Sequence, residues 1–230
     1  MKIIIKISLF FLLGALIFFD SAFSSNSKDI AIILKCKGQV KVRAGNPGKW
    51  RYAKQGMRIN SGDIIKTGDN ALAALMFTDD KSLIKIRENS SIAIRGKRKK
   101  LSIAKKLRFA FGQIWVKVRK QKTEFHVETP SGTAVVKGTE FYHFVDRNGN
   151  SIIIGIEGLI SLKNKFGEVL IRSGETGKSS KDAAPTSGKT ESSEVPNWGQ
   201  EDGAENSLEF EFEDSNGNKK TLKIKYQDNY

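Results

Sequence analysis

The sequence predicts an all-β protein of many short strands, a sandwich or a short β-solenoid, followed by a flexible linker and a C-terminal β-hairpin. Between Val127 and Leu162, short apolar or alternating runs are separated by turn residues such as Asn148-Gly149-Asn150. Strands this closely spaced leave no room for helices between them. Strand starts recur about every 8–12 residues, a spacing typical of sandwiches, barrels and short solenoids. No strict repeat of fixed period singles out a solenoid.

An N-terminal targeting segment precedes the predicted domain. Lys2 and Lys6 are followed by an apolar run at residues 7–19, shorter than the roughly 20 residues that a membrane-spanning helix needs. Small residues near Ser24 then suit a cleavage site. We therefore predict that residues 1–24 are a secretory signal peptide and that the mature protein is periplasmic or secreted. An uncleaved signal anchor in the inner membrane is the alternative.

Hydrophobic alternation places the strands of the predicted domain, residues 25–175. Ala71–Phe77 is apolar on both faces, which predicts a fully buried strand. Ile84 and Ile86 are expected to face the core, with the neighbouring basic residues in solvent. Leu101–Phe111 is ambiguous, since its apolar spacing also fits a short helix. Further strands are predicted at Ile30–Lys35, Val40–Arg43, Ile92–Ile94, Ile114–Val118 and Phe125–Thr129.

The composition changes after the predicted domain. Residues 176–206 have almost no apolar side chains beyond Val195 and Trp198, which predicts a flexible linker. Residues 207–230 alternate apolar and charged residues around an Asn-Gly-Asn turn, which predicts a hairpin. A three-residue loop would pair Phe210 with Ile224 and place Glu211 opposite Lys223. A lone hairpin is marginal in water, so its apolar face is expected to dock on the main domain, a second copy or a partner.

The sequence offers few residues for catalysis. Cys36 is the only cysteine, which excludes an internal disulfide, and is expected to be half-buried in its strand. His126 is expected on the polar face of a strand and His143 as a half-exposed strand residue, neither in a metal-ligand or triad spacing. Asp79 and Asp80 are expected to be turn residues whose carboxylates point apart. We therefore expect no enzyme, no metal and no cofactor.

A basic stretch is the strongest candidate for a binding site. The formal net charge is +14, and 12 Lys and Arg residues occur between positions 95 and 122 without one Asp or Glu. Such a cluster creates a positive potential that attracts polyanions. Because an exported protein would not meet nucleic acid, we predict contact with lipid phosphates, lipopolysaccharide or peptidoglycan-associated polymers. A solvated loop with core aromatics is the alternative. The candidate residues are Arg95, Lys97, Arg98, Lys99, Lys100, Lys105, Lys106, Arg108, Lys117, Arg119, Lys120 and Lys122.

A series of short motifs follows in a defined order. It runs through Ser61–Gly68, Leu75–Ser82, Phe111–Val116, a Thr-Pro step, a Gly-Thr-x-Phe step and a Glu-Gly step. This order resembles the domain of the FecR family, exported bacterial proteins named for a regulator of iron-citrate uptake. The resemblance marks these residues as framework: Gly62, Asp63, Thr67, Gly68, Thr129, Pro130, Gly138, Thr139, Phe141, Glu157 and Gly158. At Asp80 the family more often carries glycine, and we expect the aspartate to keep a left-handed turn.

The resemblance implies a binding rather than a catalytic protein. In family members of full architecture, a cytoplasmic anti-sigma segment and a transmembrane helix precede the domain, which relays a signal from an outer-membrane transporter to a sigma factor. Only Met1–Lys6 precede the apolar run here, so no such segment is expected. We therefore expect a non-enzymatic interaction or scaffold module of the bacterial envelope.

Two alternatives stay open. One is an accessory of envelope signal transduction that contacts a separate membrane partner, with the C-terminal hairpin adding a strand to it. The other is a binder of envelope or host polyanions through residues 95–122. In each case we expect no nucleic acid, and membrane contact only peripherally or through an uncleaved signal anchor.

Overall fold

The computed structural model describes residues 29–45, 48–98, 102–120, 123–196, 198, 207–213 and 219–225, and only the backbone of residue 98 and of the last two ranges. The predicted signal peptide lies outside these ranges. Among the described residues, no helix has the length and apolar character needed to cross a bilayer.

Within that part of the chain, seventeen short strands form one open sheet, which confirms the all-β fold class. They are β1 (Asp29–Lys37), β2 (Val40–Arg43), β3 (Trp50–Tyr52), β4 (Arg58–Asn60), β5 (Ile64–Thr67), β6 (Leu72–Phe77), β7 (Leu83–Ile86), β8 (Ser91–Arg98), β9 (Ile103–Lys117), β10 (Phe125–Thr129), β11 (Gly132–Val136), β12 (Glu140–Val145), β13 (Ser151–Glu157), β14 (Leu159–Asn164), β15 (Gly167–Arg172), β16 (Glu175–Ser179) and β17 (Thr186–Lys189). A 3₁₀ turn, Ser192–Glu194, follows, and β18 (Ser207–Glu213) and β19 (Lys219–Lys225) form a separate two-stranded sheet.

The long strand β9 divides the sheet into two layers. Its first half pairs with β8 and β10, and its second half pairs with β7 and β12. Layer A comprises β1, β4, β6, β7, β12, β13, β16 and β17. Layer B comprises β2, β3, β5, β8, β10, β11, β14 and β15. The chain passes between the layers at Gly112, whose φ of +118° is a conformation that favours glycine.

The two layers enclose one apolar core. Phe77 of layer A meets Phe125 of layer B edge to face, with 5.6 Å between the ring centroids. Inward residues of both layers belong to the same buried cluster. The predicted double burial of the Ala71–Phe77 strand is confirmed, because its outward residues Ala74 and Met76 pack with Leu34 in a second small cluster. Ile84 and Ile86 face the core as predicted.

The ambiguous segment Leu101–Phe111 is strand rather than helix from Ile103 onwards. Ile103, Leu107 and Phe109 are all fully buried, an odd-numbered alternation that suits a strand. The pairing partners β8 and β10 decide between the two conformations, and local spacing could not show them.

The structure corrects the linker predicted at residues 176–206, because ordered strands continue beyond residue 175. β16 pairs with β13, and β17 pairs with β16. All four side chains of β17 are exposed, so the strand is held by backbone hydrogen bonds and leaves no trace in hydrophobic patterning.

The C-terminal hairpin has its strands where the sequence predicts them but a different register. Phe210 lies opposite Leu222 and Glu209 opposite Lys223, so the predicted pairing of Phe210 with Ile224 is wrong by two residues. The predicted three-residue loop falls among residues 214–218, which lie outside the described residues. A shift of two residues keeps every side chain on its predicted face, which is why alternation alone could not detect it. The surface on which its apolar face docks stays a prediction.

Candidate functional site

The outward side of layer B carries cations from four strands. The alternation of β2, β5, β8 and β9 turns their apolar residues into the core and their basic residues outwards. We call the resulting set the basic face: Lys41, Arg43, Lys66, Arg95, Lys97, Lys106 and Arg108. None of these side chains is buried.

The strand register places like charges opposite each other on the basic face. Lys41 of β2 lies opposite Lys66 of β5, and Arg95 of β8 lies opposite Lys106 of β9. Directly opposite residues have Cβ atoms about 5 Å apart, and like charges there are destabilising. A bound anion would relieve this repulsion.

Carboxylates neutralise only one end of the basic face. Glu128 accepts hydrogen bonds from Lys106 Nζ at 2.6 Å and from Arg108 Nε at 3.3 Å. The Lys106 hydrogen bond is the main cause that lowers the pKa of Glu128. Within the described residues, no carboxylate lies at ion-pair distance from the other five cations. Most of the positive charge therefore faces solvent uncompensated.

Two exposed aromatic side chains form one edge of the basic face. Trp50 and Tyr52 on β3 are 38% and 62% exposed. Arg43 and Lys66 each lie 5.1 Å from the Trp50 ring centroid, and Lys41 lies 5.4 Å from that of Tyr52. These cation–π contacts hold the long basic side chains against the sheet. They leave a flat apolar surface beside the charges.

A shallow groove of about 690 Å³ opens at the other edge of the basic face. Arg95, Lys97 and Lys106 line one part of it and Lys137 another. Glu124 also lines the groove, and hydrogen bonds from His126 and then Lys137 lower its pKa. The groove is thus mainly cationic, with one carboxylate at its margin.

The predicted basic stretch is divided by the fold. Arg95, Lys97, Lys106 and Arg108 belong to the basic face, whereas Lys105 is buried. Lys117 forms an ion pair with Glu140 at 2.7 Å, and Arg119 and Lys120 are exposed beyond the end of β9. Lys99, Lys100 and Lys122 lie outside the described residues, as does the side chain of Arg98.

Sequence reasoning missed three cations of the basic face. Lys41, Arg43 and Lys66 lie 29 or more positions before Arg95 in the chain and join it only through strand pairing. The available signal was local: Val-Lys-Val-Arg alternates apolar and basic residues, whereas Ile-Ile-Lys-Thr does not alternate. Alternation shows that Lys41 and Arg43 face outwards but not which strands are neighbours.

Lys105 forms a buried charge centre with the two aspartates. Its Nζ lies 2.9 Å from Asp79 Oδ2 and 2.7 Å from Asp80 Oδ2, and its side chain is fully buried. The prediction that the two carboxylates point apart is therefore wrong, because both converge on one lysine from the turn after β6. Lys81, at φ +63°, adopts the left-handed conformation that we expected of Asp80.

His143 is also deeper than predicted. It is fully buried rather than half-exposed, since β12 alternates and turns Phe141, His143 and Val145 into the core. Its Nε2 lies 2.6 Å from Ser151 Oγ, and burial lowers its pKa from 6.5 to about 3. His126 is partly exposed on its strand, and Cys36 is half-buried, both as expected. Burial raises the pKa of the Cys36 thiol.

The remaining motif residues hold turns together. Gly138 and Gly158 both have positive φ, and a Cβ on Gly158 would lie 2.7 Å from the Gly138 carbonyl oxygen. Thr67 Oγ1 donates to the Arg87 carbonyl at 2.6 Å, and Asp63 Oδ2 accepts from the Asn60 amide at 2.9 Å. None of these side chains belongs to the basic face.

Known proteins match both a part of this sequence and its two-layered fold. Residues 63–160 match the family described as FecR protein. This part of the chain is similar to a FecR domain. No curated protein matches the chain.

Solved structures resemble the fold of this protein. Two crystal structures of a candidate anti-sigma factor from Parabacteroides distasonis ATCC 8503 superpose with TM-scores of 0.51 and 0.50 at 12% sequence identity. Each similarity covers 60% of this chain and 64% of the other, so the chain spans less than two thirds of its structural relative. At this identity the similarity concerns the fold.

Proposed function

We propose that this protein is an exported, non-enzymatic binding module whose basic face holds an anionic polymer or lipid surface of the bacterial envelope. The uncompensated cations of four adjacent strands are the observation that carries the proposal. Lys41, Arg43, Lys66, Arg95 and Lys97 have no carboxylate at ion-pair distance within the described residues, and two like-charged pairs lie directly opposite. Binding of repeated anionic groups lowers that repulsion.

The dimensions of the basic face favour an extended ligand. Strands in a sheet lie about 4.8 Å apart, so the four strands from β2 to β9 spread the charge over about 15 Å. A shallow groove and an exposed aromatic edge adjoin the charges, which suits a chain or a surface bearing several phosphate or carboxylate groups. The predicted signal peptide supports an envelope location for that ligand.

The test is sedimentation of the purified chain with phosphatidylglycerol vesicles, phosphatidylcholine vesicles and lipopolysaccharide. The proposal expects binding to the anionic partners only, weakening as salt rises. Replacing Lys66, Arg95 and Lys97 by Gln removes three charges, each worth about 1 kcal/mol near an anionic surface, so affinity should fall by about 100-fold. The vesicle and lipopolysaccharide arms distinguish a lipid headgroup from a polymer as the ligand.

A matched control removes the same charge elsewhere. Lys163, Lys165 and Lys181 are exposed cations outside the basic face, and their triple Gln variant should bind like the wild type. Equal losses in both variants would show that net charge alone attracts the protein. No binding at low salt would overturn the proposal.

A second candidate function is an accessory of envelope signal transduction. The FecR domain and the fold shared with a candidate anti-sigma factor support a signalling-related role. The hairpin β18–β19 offers strand edges that can extend a partner's sheet. Cross-linking in envelope fractions would test this: a transporter or sigma regulator should be captured by the full chain and lost on deletion of residues 207–230. Equal capture by both forms would contradict a role for the hairpin.

A further inference from the structure

The charge centre around Lys105 joins the two layers of the fold. Lys105 lies in the first half of β9, which pairs within layer B, whereas Asp79 and Asp80 follow β6 of layer A. Both carboxylates lie within 2.9 Å of the lysine Nζ. The lysine also lies over the Phe77 ring, 5.2 Å from its centroid. An amine and two acids thus meet in a nearly dry, partly aromatic pocket.

The two carboxyl groups are held differently. Asp79 Oδ2 accepts hydrogen bonds from the Ile103 amide at 2.7 Å and from Lys105 Nζ. Asp79 Oδ1 is buried and has no hydrogen-bond partner in the described part of the chain. Asp80 uses Oδ1 to accept from the Ser82 amide and Oδ2 to contact Lys105. Two donors therefore hold Oδ2 of Asp79, and no donor of the described residues holds its Oδ1.

We propose that Lys105 and Asp79 join in an intramolecular amide bond, with Asp80 as the proton carrier. Asp79 and Asp80 both contact Lys105 Nζ, so the attacking amine lies beside the carboxyl group that it attacks and beside the proton carrier. An ion pair keeps its charges buried at a substantial desolvation cost, whereas the amide is neutral and retains the hydrogen bond from Ile103. Conversion therefore removes two of the three charges and leaves the Asp80 carboxylate, which is 14% exposed and keeps its hydrogen bond from the Ser82 amide.

The reaction balances without any co-reactant. The Lys105 ammonium passes one proton through Asp80 to Oδ1 of Asp79, which leaves a neutral amine beside a neutral carboxylic acid. The amine attacks Cγ of Asp79, and the Nζ–Cγ bond forms while negative charge develops on Oδ2, where the Ile103 N–H stabilises it as an oxyanion donor does. Asp80 then transfers a second proton from Nζ to Oδ1. The Cγ–Oδ1 bond breaks, one water leaves, and Oδ2 becomes the amide oxygen.

The bond would cross-link positions 26 residues apart between layer A and layer B. A covalent bridge of this kind restricts the unfolded chain, as a disulfide does. The chain has a single cysteine and cannot form an internal disulfide. An amide would give it a cross-link that reducing agents do not open.

Mass spectrometry of the purified full-length chain tests the proposal directly. The wild type should be lighter, by the mass of one water molecule, than its sequence requires once its N-terminus has been determined. Protease digestion should release a branched peptide that contains both Asp79 and Lys105. Folded wild-type protein with the full mass, and with separate peptides for the two positions, would overturn the proposal and leave an ion pair.

Variants separate this reaction from other losses of water. Lys105→Arg keeps a cation and must show the full mass; a lighter mass would indicate a cyclised aspartate instead and overturn the assignment. Asp80→Asn keeps both reacting groups, so the amide should form at least tenfold more slowly in it. Wild-type speed in that variant would exclude Asp80 as the proton carrier. These outcomes do not depend on whether the basic face binds anions.

Discussion

The outward sides of the two layers differ sharply although both arise from the same alternation. On layer B the basic face carries cations open to solvent. On layer A the outward residues of β12 include Tyr142 and Phe144, and Trp198 packs against them: its ring centroid lies 4.8 Å from that of Tyr142 and 5.9 Å from that of Phe144. Trp198 is only 7% exposed, and Arg87 lies 5.4 Å from its ring centroid. The basic face of layer B is therefore open to solvent, whereas Trp198 partly buries Tyr142 and Phe144 on the outward side of layer A.

This difference explains why Trp198 packs on layer A. A single Trp in a polar segment was too weak a signal to predict ordering. The outward side chains of Tyr142 and Phe144 on β12 give Trp198 a site. An aromatic side chain can bury more area there than the residues that neighbour Trp198 in the sequence. The basic face offers no equivalent surface, because its aromatic residues stand at the edge strand β3 and already contact its own cations.

The largest expected effect concerns His143, which faces the core from layer A. Its pKa is about 3 in the folded protein and 6.5 ordinarily, so the unfolded chain takes up the proton more readily. Stability is therefore complete above pH 6.5 and is lost as pH falls towards 3, by about 2 kcal/mol at pH 5 and about 5 kcal/mol in full. Urea unfolding at several pH values measures this loss.

The control for that prediction is His143→Gln, which can still hydrogen-bond Ser151 but does not titrate. Its stability should change little between pH 6.5 and 5. Trp198 and Trp115 report on the outward side of layer A, and Trp50 reports on the basic face. Fluorescence of variants that keep a single Trp would therefore show which of the two regions unfolds first as the pH falls. An equal slope for the His143→Gln variant and the wild type would assign the effect to carboxylates instead.

A substitution at the passage between the layers should have the next largest effect. A Cβ on Gly112 would lie 2.1 Å from Ser90 Oγ and 2.5 Å from its Cα, at a φ of +118°. Gly112→Ala should cost about 4 kcal/mol through overpacking and backbone strain. Gly188→Ala is the control, since nothing lies within 4 Å of its added Cβ. Thermal unfolding that shows equal stability for the two variants would contradict this role of Gly112.

Removal of the aromatic cover tests the layer A side of the comparison. Trp198→Ala should lower the free energy of unfolding by about 3 kcal/mol, the lower end for a buried Trp, and expose Tyr142 and Phe144. Val195→Ala, at an exposed position of the same segment, should change it by less than about 0.5 kcal/mol. Similar losses in the two variants, measured in urea, would mean that Trp198 is no anchor.

The smallest effect is expected on the basic face and has the opposite sign. Lys66→Gln removes a charge directly opposite Lys41 and should stabilise the protein by about 0.5 kcal/mol at low salt, with the gain disappearing at high salt. Lys163→Gln is the control, because Lys163 lies opposite Glu168 and should lose stability instead. Destabilisation by Lys66→Gln would show that its contact with Trp50 outweighs the repulsion.

Particular residues show how far sequence reasoning reaches. The alternation of Ile84 and Ile86 predicted their burial, and the Gly-Asp and Gly-Thr-x-Phe motifs predicted the family. The same alternation said nothing about His143, because a polar residue at an inward position looks like an outward one until its strand is paired. The candidate site was predicted in part: Arg95, Lys97, Lys106 and Arg108 were found from their density in the chain.

The sequence by itself determined the all-β fold class, the turns, the family motifs and the side on which most residues of the predicted strands lie. These depend on a few neighbouring residues through backbone geometry and period-two alternation. Tertiary structure alone decided which strands are neighbours. It thereby brought Lys41 and Lys66 to the basic face, took Lys105 from the basic stretch into the core beside Asp79, and seated Trp198 on layer A. Contacts between distant segments depend on sheet pairing and layer packing, which no local pattern records.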